Sequence, residues 1–171
     1  MKKYLSAFVC GFGAGVLQVV PVAKSFSCCL IIPAAAILAL LLDQRAQGST
    51  GKISFQKGLV MGLLTGIYAA LFGSFFDIFI TLVTKNNDIV AGFPEIQKMT
   101  NSFPLFAQEA KTQVINMFSS MRDDILNHGF SLIYSSIITI SNLVVNSIFG
   151  TIGGLIGVQI INSRIDSSSE E

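Results

Sequence analysis

The sequence predicts an all-α polytopic membrane protein with four transmembrane helices and an amphipathic helical segment outside the cytoplasm. Charged residues make up 12% of the 171 residues, about half of the roughly 25% usual for a soluble domain. The mean hydropathy is +0.67. The charges are also unevenly placed, because four long windows together contain a single charged residue, Asp77. These windows are residues 4–22, 26–42, 58–83 and 130–162.

This composition excludes several classes of protein. A soluble globular domain, a disordered chain, a collagen and a disulfide scaffold each need a different balance of apolar, charged and cysteine residues. The net charge of +1 and the pI of about 7.7 leave no basic surface for nucleic acid. We therefore expect residues 1–171 to form a single membrane domain whose main partner is the lipid bilayer.

The first two windows predict a tight helical hairpin. They are 19 and 17 residues long, at the short end of the spanning range of about 17–25 residues. Only three residues separate them, which places Pro21 and Lys24 at the turn. A re-entrant hairpin is the rival interpretation, but it buries irregular backbone at membrane depth. A signal peptide cleaved after Ala23 is disfavoured, because Pro21 would stand where a small residue is needed.

The third window, 58–83, is long enough to span with ease, and it follows a polar loop over 43–57. Ser54 is a candidate cap for this helix, with Thr50 as the competitor. The last window, 130–162, has 33 residues and must tilt, kink or project beyond the bilayer. The polar composition of residues 163–171 predicts a C-terminal tail outside the helix.

The polar segment 84–129 is the largest part of the chain outside the windows. From about Pro104 to Asn127 its apolar residues recur every three or four positions, which predicts a helix with one apolar face. The stripe contains Phe106, Ala110, Val114, Met117, Met121 and Ile125. Such a helix lies in the membrane interface or caps the bundle, since it is too polar to span.

The loop cations predict the orientation. With a cytoplasmic N-terminus, the inner cations are Lys2, Lys3, Arg45, Lys52, Lys57 and Arg164, and the outer ones are Lys24, Lys85, Lys98, Lys111 and Arg122. The 43–57 loop has three Lys or Arg residues in 15, whereas the 84–129 segment has four in 46. The higher density of cations in the 43–57 loop favours the orientation in which that loop is cytoplasmic. We expect a multi-pass protein of the cell inner membrane with both termini cytoplasmic.

Small residues recur at a spacing of four in three windows, which predicts close helix packing. Gly11 and Gly15 form a G-x-x-x-G pair, and they lack the preceding strand and acidic partner of a dinucleotide loop. The third window carries Gly58, Gly62, Gly66, Ala70 and Ser74, and the fourth carries Asn142, Asn146, Gly150 and Gly154 with Gly153 and Gly157 beside them. These stripes pack either on each other or on a second copy of the chain.

A small set of polar side chains interrupts the windows. Asp77, Asn142 and Asn146 form the candidate polar pathway, with Gln18 and Gln159 as outliers. An acid in a membrane helix is a functional-site hypothesis by default. Here the competing interpretation is structural hydrogen bonding, because the windows hold no second acid and no basic partner for a charge relay.

The cysteines and the single histidine do not predict a metal or catalytic site. Cys10, Cys28 and Cys29 are an odd, clustered set that suits small apolar packing residues better than disulfides. Cys28 and Cys29 are adjacent and should point to different sides of a helix, so they do not form a chelating pair. His128 stands at a solvated helix end. We expect no cofactor, no metal and no enzymatic activity.

The order of these features resembles a known group of proteins. A Gly-rich first helix ends in Pro, a Ser-Cys-Cys-Leu turn opens an Ala-rich second helix, and Ile-Ser-Phe-Gln-Lys-Gly enters a G-x-x-x-G helix. This pattern, over residues 4–83 and the last helix, resembles uncharacterised four-span bacterial envelope proteins of the domain-of-unknown-function type. The resemblance implies the topology and brings no activity, cofactor or catalytic residue. The long segment before the last span departs from the compact members.

Two functions follow as expectations. The first is a non-enzymatic scaffold or accessory protein that self-associates or joins a larger membrane complex through its small-residue stripes. The second is a small oligomeric channel or carrier whose pathway uses Asp77 and the Asn142/Asn146 face. A scaffold needs a dry, Gly-packed interior, whereas a pathway needs polar residues along a continuous hydrated cavity.

Overall fold

The computed structural model describes residues 4–49, 51–104 and 107–168, and most of them are helical. The α-helices are α1 (Leu5–Leu17), α2 (Pro21–Lys24), α3 (Ile32–Ala46), α4 (Phe55–Thr84), α5 (Asp88–Ser102), α6 (Gln108–His128) and α7 (Leu132–Ser168). A five-residue π-helical turn, Ser27–Ile31, leads directly into α3. The described ranges contain no strand, which confirms the predicted all-α class.

Three helical segments are long and apolar enough to cross a membrane: Ser27–Ala46, Phe55–Thr84 and Leu132–Ser167. They agree with three of the four predicted windows. Helix α1 is apolar but has only 13 residues. At about 1.5 Å per residue it reaches about 20 Å, compared with about 30 Å for the hydrocarbon core of a bilayer.

The first predicted span ends earlier than expected. Helix α1 stops at Leu17 instead of continuing to residue 22. The cause is Pro21, because a proline disfavours helical backbone at the residue before it. Val20 is accordingly extended, with φ −79° and ψ 122°. Helix resumes at Pro21, where the first helical position needs no N–H, so the predicted turn is the short helix α2.

The loop between α3 and α4 is shorter than the predicted 43–57, since α3 continues to Ala46 and α4 begins at Phe55. The hydroxyl of Ser54 accepts a hydrogen bond from the backbone N–H of Lys57 at 3.3 Å, as expected of a cap. The competing cap, Thr50, lies outside the described residues.

Helix α7 continues through Ser168, so the predicted tail over 163–171 is helical in its first six residues. Residues 169–171 lie outside the described residues. Polar contacts stabilise the extension, because Asp166 forms an ion pair with Lys52 at 2.8 Å. The polar composition of residues 163–171 therefore does not indicate where α7 ends.

Residues 1–76 and 139–171 form one compact unit, here called unit 1. In it α1 packs against α3 and α4, and α7 packs against the same two helices. The order of the facing glycines shows that α1 and α4 run in one direction and that α3 and α7 run in the other. The largest core cluster contains Ala7, Ala39, Leu40, Ile53, Met61, Val158 and Ile161.

Residues 77–138 form a second compact unit, unit 2, which contains α5 and α6 with the adjoining ends of α4 and α7. Met121 and Ile125 of the predicted apolar stripe are buried in its core beside Tyr134. The guanidinium of Arg122 lies 4.2 Å from the centre of the Phe93 ring. Helix α6 begins at Gln108, later than the expected Pro104, and Phe106 of the stripe lies outside the described residues.

Candidate functional site

A group of polar side chains joins three helices of unit 1. It consists of Gln18, Ser74, Asn142 and Asn146 and is called the amide layer below. The Nδ2 atom of Asn146 donates to Gln18 Oε1 at 3.2 Å, and Asn142 Nδ2 donates to Ser74 Oγ at 2.9 Å. Gln18, Ser74 and Asn146 are all buried. The layer therefore ties α7 to the end of α1 and to α4 by hydrogen bonds inside an apolar bundle.

Gln18 enters this layer because its neighbour on α4 is a glycine. A Cβ atom at Gly73 would lie 2.5 Å from Gln18 Oε1, so a larger residue there would displace the amide from its present position. The Nε2 atom of Gln18 is buried and has no hydrogen-bond partner among the described residues. In the sequence, Gln18 is only an outlier to the candidate polar pathway. Its partner Asn146 is 128 positions away, so no local pattern connects the two residues.

Asp77 belongs to a different group. The hydroxyl of Tyr134 donates a hydrogen bond to Asp77 Oδ2, and both residues lie in unit 2. Tyr134 is buried and Asp77 is half-buried. The Tyr134 hydroxyl therefore helps to fix the position of this carboxyl group. Of the three candidate pathway residues, Asn142 and Asn146 therefore lie in unit 1 and Asp77 lies in unit 2.

Glycines bring the backbones of α4 and α7 into direct contact. A Cβ atom added to Gly150 would lie 2.5 Å from the carbonyl oxygen of Gly62, and one added to Gly62 would lie 3.0 Å from Gly154 Cα. Further along, a Cβ atom on Gly66 would lie 3.0 Å from Ser147 Cα, and one on Gly58 would lie 2.9 Å from Gly154 O. No side chain larger than hydrogen fits at these contacts without moving a helix.

The other predicted small residues also face the interior of unit 1. A Cβ atom on Gly11 would lie 2.6 Å from Tyr68 Cβ, and one on Gly15 would lie 2.7 Å from Phe72 Cβ. Ala70 is buried as well. The predicted helix-packing glycines therefore lie against other helices of the same chain.

The sequence does not predict the ion pair at the other end of unit 1, in which the carboxylate is buried and the ammonium group is partly exposed. Lys57 Nζ lies 2.6 Å from Asp43 Oδ2, and the Asp43 side chain is 3% exposed. Gln47 Nε2 donates to the same oxygen at 2.7 Å. Asp43 falls in the predicted polar loop 43–57, although it follows Ala36 and Ala39 at helical spacing on the buried face of α3. That spacing was the signal that could have found it.

A second missed contact fixes the loop before α4 to α7. The side-chain amide of Asn162 makes two hydrogen bonds with the backbone of Ile53, accepting from its N–H at 2.8 Å and donating to its C=O at 2.9 Å. Both backbone groups of a buried residue are thereby satisfied. The two residues are 109 positions apart, so no local pattern predicts the pair.

The adjacent cysteines do not point apart, contrary to the expectation from an α-helix. Their Sγ atoms lie 3.5 Å from each other, with Cys29 exposed and Cys28 half-buried. The pair lies in the π-helical turn Ser27–Ile31, whose wider winding differs from the α-helical geometry that we assumed. Cys10 is half-buried in α1 and belongs to the core packing.

His128 is the last residue of α6 and is exposed. Across residues 4–49, 51–104 and 107–168, no group of three or more His, Cys, Asp and Glu side chains could hold a metal ion. The chain was also compared with known proteins. No family model, no curated protein and no solved structure matches it.

Proposed function

We propose that this chain is a four-span protein of the cell inner membrane that serves as a non-enzymatic scaffold or accessory subunit. The observation that carries the proposal is the contact between α4 and α7. Since there is no room for a methyl group between Gly62 and Gly150, there is none for a file of water or ions at that contact. A dry, Gly-packed interior is the property expected of a scaffold.

The alternating directions of the helices in unit 1 support four crossings. A chain that crosses four times must run up, down, up and down, which is the order of α1, α3, α4 and α7. The short α1 is compatible with a crossing because bilayers thin locally around short spans. The same topology fits the proposed relationship to four-span envelope proteins.

The loop cations support an N-in, C-in orientation, as argued above. In this orientation the 84–129 segment, with α5 and α6, lies outside the cytoplasm. It is the longest segment of the sequence outside the apolar windows and is our candidate for recognition of a partner. The exposed side chains Met99 and Phe103 at the end of α5 would contribute apolar contact area there.

Association with a second copy or a larger complex would use outward faces, because the glycine stripes are occupied within the chain. One such face is a row of β-branched residues on α7, spaced four apart and all exposed. It contains Ile140, Val144, Ile148, Ile152, Ile156 and Ile160. Rows at this spacing form the ridges through which helices pack.

Purification from native membranes in mild detergent tests the scaffold role. We expect the 18.3 kDa chain to elute in a larger particle that contains further copies or a partner protein. Replacing Ile148 and Ile152 with alanine should reduce that particle if the α7 row is the interface, whereas the matched pair Leu71→Ala and Phe75→Ala on α4 should not. A wild-type protein that elutes as a single chain without a partner contradicts the proposal.

The alternative is a small oligomeric channel or carrier that uses Asp77 and the Asn142/Asn146 face. The observation in its favour is the amide layer. There the buried Gln18 Nε2 atom has no hydrogen-bond partner among the described residues, so it is able to donate to a ligand. In proteoliposomes, Asp77→Asn should then abolish flux, and Asp166→Asn, an exposed acid on α7, should leave it intact. Wild-type liposomes without flux would dismiss this alternative.

A further inference from the structure

The two sulfur atoms of the π-helical turn form a compact donor pair. Cys28 Sγ and Cys29 Sγ are 3.5 Å apart, and Cys29 is exposed to the surroundings. The pair stands at the start of the Ser27–Ala46 apolar segment, a few residues after Lys24. We propose that Cys28 and Cys29 are a dithiol site for one soft, thiophilic metal or metalloid centre.

The separation of the sulfurs suits a single bridging atom. A metal–thiolate bond is about 2.3 Å long, so an atom bonded to both sulfurs at their present separation subtends an S–M–S angle of about 100°. That angle lies within the range of tetrahedral and pyramidal centres. The two thiols therefore need little movement to chelate one atom.

The rival chemistry for two neighbouring thiols is a disulfide. Cα atoms of adjacent residues are about 3.8 Å apart across a trans peptide, whereas disulfides usually join Cα atoms about 4.4–6.8 Å apart. A bond between Cys28 and Cys29 would therefore distort the helical turn that now holds them. Chelation requires no such distortion, so the geometry favours it.

Two thiolates select the class of ligand. Sulfur donors prefer soft centres over hard cations such as Mg²⁺ or Ca²⁺. The described residues offer no third His, Cys, Asp or Glu side chain to complete a larger cage. A three-coordinate centre such as trivalent arsenic, which keeps one group of its own and bonds to two thiols, matches this donor set.

Phenylarsine oxide is a probe with this chemistry. Its arsenic–oxygen bond is replaced by two arsenic–sulfur bonds, the two thiol protons leave with the oxygen as one water, and no oxidation occurs. The purified full-length protein in mild detergent is treated with one equivalent of the probe and an excess of a monothiol, and the intact mass is measured. We expect one phenylarsenic group on wild-type protein and on Cys10→Ser.

Cys28→Ser and Cys29→Ser should lose the adduct, because a single arsenic–sulfur bond lacks the high effective concentration of a second thiol and exchanges with the monothiol. Loaded wild-type protein should also resist maleimide at both cysteines, which is a readout that needs no variant. Retention by either serine variant at the wild-type level would overturn the proposal. Failure of the wild type to retain the probe would overturn it as well.

Discussion

The Asp43 carboxylate shows how one charged side chain is accommodated inside an apolar bundle. Burying an unpaired carboxylate is strongly unfavourable. Lys57 and Gln47 both contact the same carboxylate oxygen, at 2.6 and 2.7 Å. The carboxylate is therefore held by one opposite charge and one amide donor, and loss of the cation should destabilise the packing of α3.

We expect Lys57→Met to lower the free energy of unfolding. Removing one partner of a fully buried pair costs about 3–5 kcal/mol, but the Lys57 side chain is 31% exposed. Water can then reach the remaining carboxylate, so we expect a loss of about 1–3 kcal/mol. Equilibrium unfolding of the purified protein in mixed detergent micelles measures it.

Lys52→Met is the matched control, because the ion pair of Lys52 with Asp166 is exposed on both sides. Its loss should stay below about 1 kcal/mol. Adding Asp43→Asn to Lys57→Met should recover part of the stability, since it removes the uncompensated charge. Equal losses in the Lys57 and Lys52 variants would contradict the assigned role of the buried pair.

At the scale of helices, the glycine contacts determine how closely α1, α4 and α7 approach each other. Lipid chains are as apolar as leucine, so helices in a membrane gain stability mainly from close packing and polar contacts. Gly13 offers a comparison, because it lies between the packed Gly11 and Gly15 yet has no atom within 4 Å of its would-be Cβ.

Gly150→Ala should therefore lower the free energy of unfolding by about 1–3 kcal/mol, the usual range for overpacking. Gly13→Ala should leave it unchanged or raise it by up to about 1 kcal/mol, because alanine restricts the unfolded chain and favours helix. The double variant Gly62→Leu with Gly66→Leu should prevent native packing. Unchanged melting of Gly150→Ala and of the double leucine variant would refute the importance of this contact.

Long apolar runs were the most predictable part of the fold. The helix predicted over 58–83 is observed as Phe55–Thr84, because a long apolar run without proline offers few positions at which a helix can end. The helix predicted over 4–22 ends earlier than expected, because the proline after Val20 favours extended backbone there. The end of α7 was missed because distant contacts, such as that of Asp166 with Lys52, extend a helix that its local sequence does not favour.

The candidate site was less predictable for the same physical reason. Asn142 and Asn146 stood out because amides are rare in membrane helices. Their partners Ser74 and Gln18 did not, since pairing depends on how distant helices are arranged. The cysteine pair required knowledge of a π-helical turn, which residue spacing alone does not reveal.

At the scale of the whole molecule, the proposed topology predicts which loops face the cytoplasm. In a background without Cys10, Cys28 and Cys29, Ser102→Cys in α5 should react with a membrane-impermeant maleimide in intact cells. Ser49→Cys, between α3 and α4, should react only after the cells are opened. Both positions are exposed, so a difference in labelling reports sidedness and not burial.

A reporter fused after Glu171 provides an independent control and should behave as cytoplasmic. Labelling of Ser49→Cys in intact cells would reverse the orientation. Labelling of Ser49→Cys and Ser102→Cys on the same side would mean that α4 does not cross the bilayer, or that it enters and leaves on the same side.

The clamp between Asn162 and Ile53 has a consequence for biosynthesis. Asn162 leaves the ribosome 109 residues after Ile53, a delay of about 5–20 s at typical rates of about 5–20 residues per second. During that interval the Ile53 backbone lacks its final donor and acceptor. Helix α7 thus completes the hydrogen bonding of the loop between α3 and α4, and a nascent chain that stalls before α7 would leave the Ile53 backbone groups without these partners.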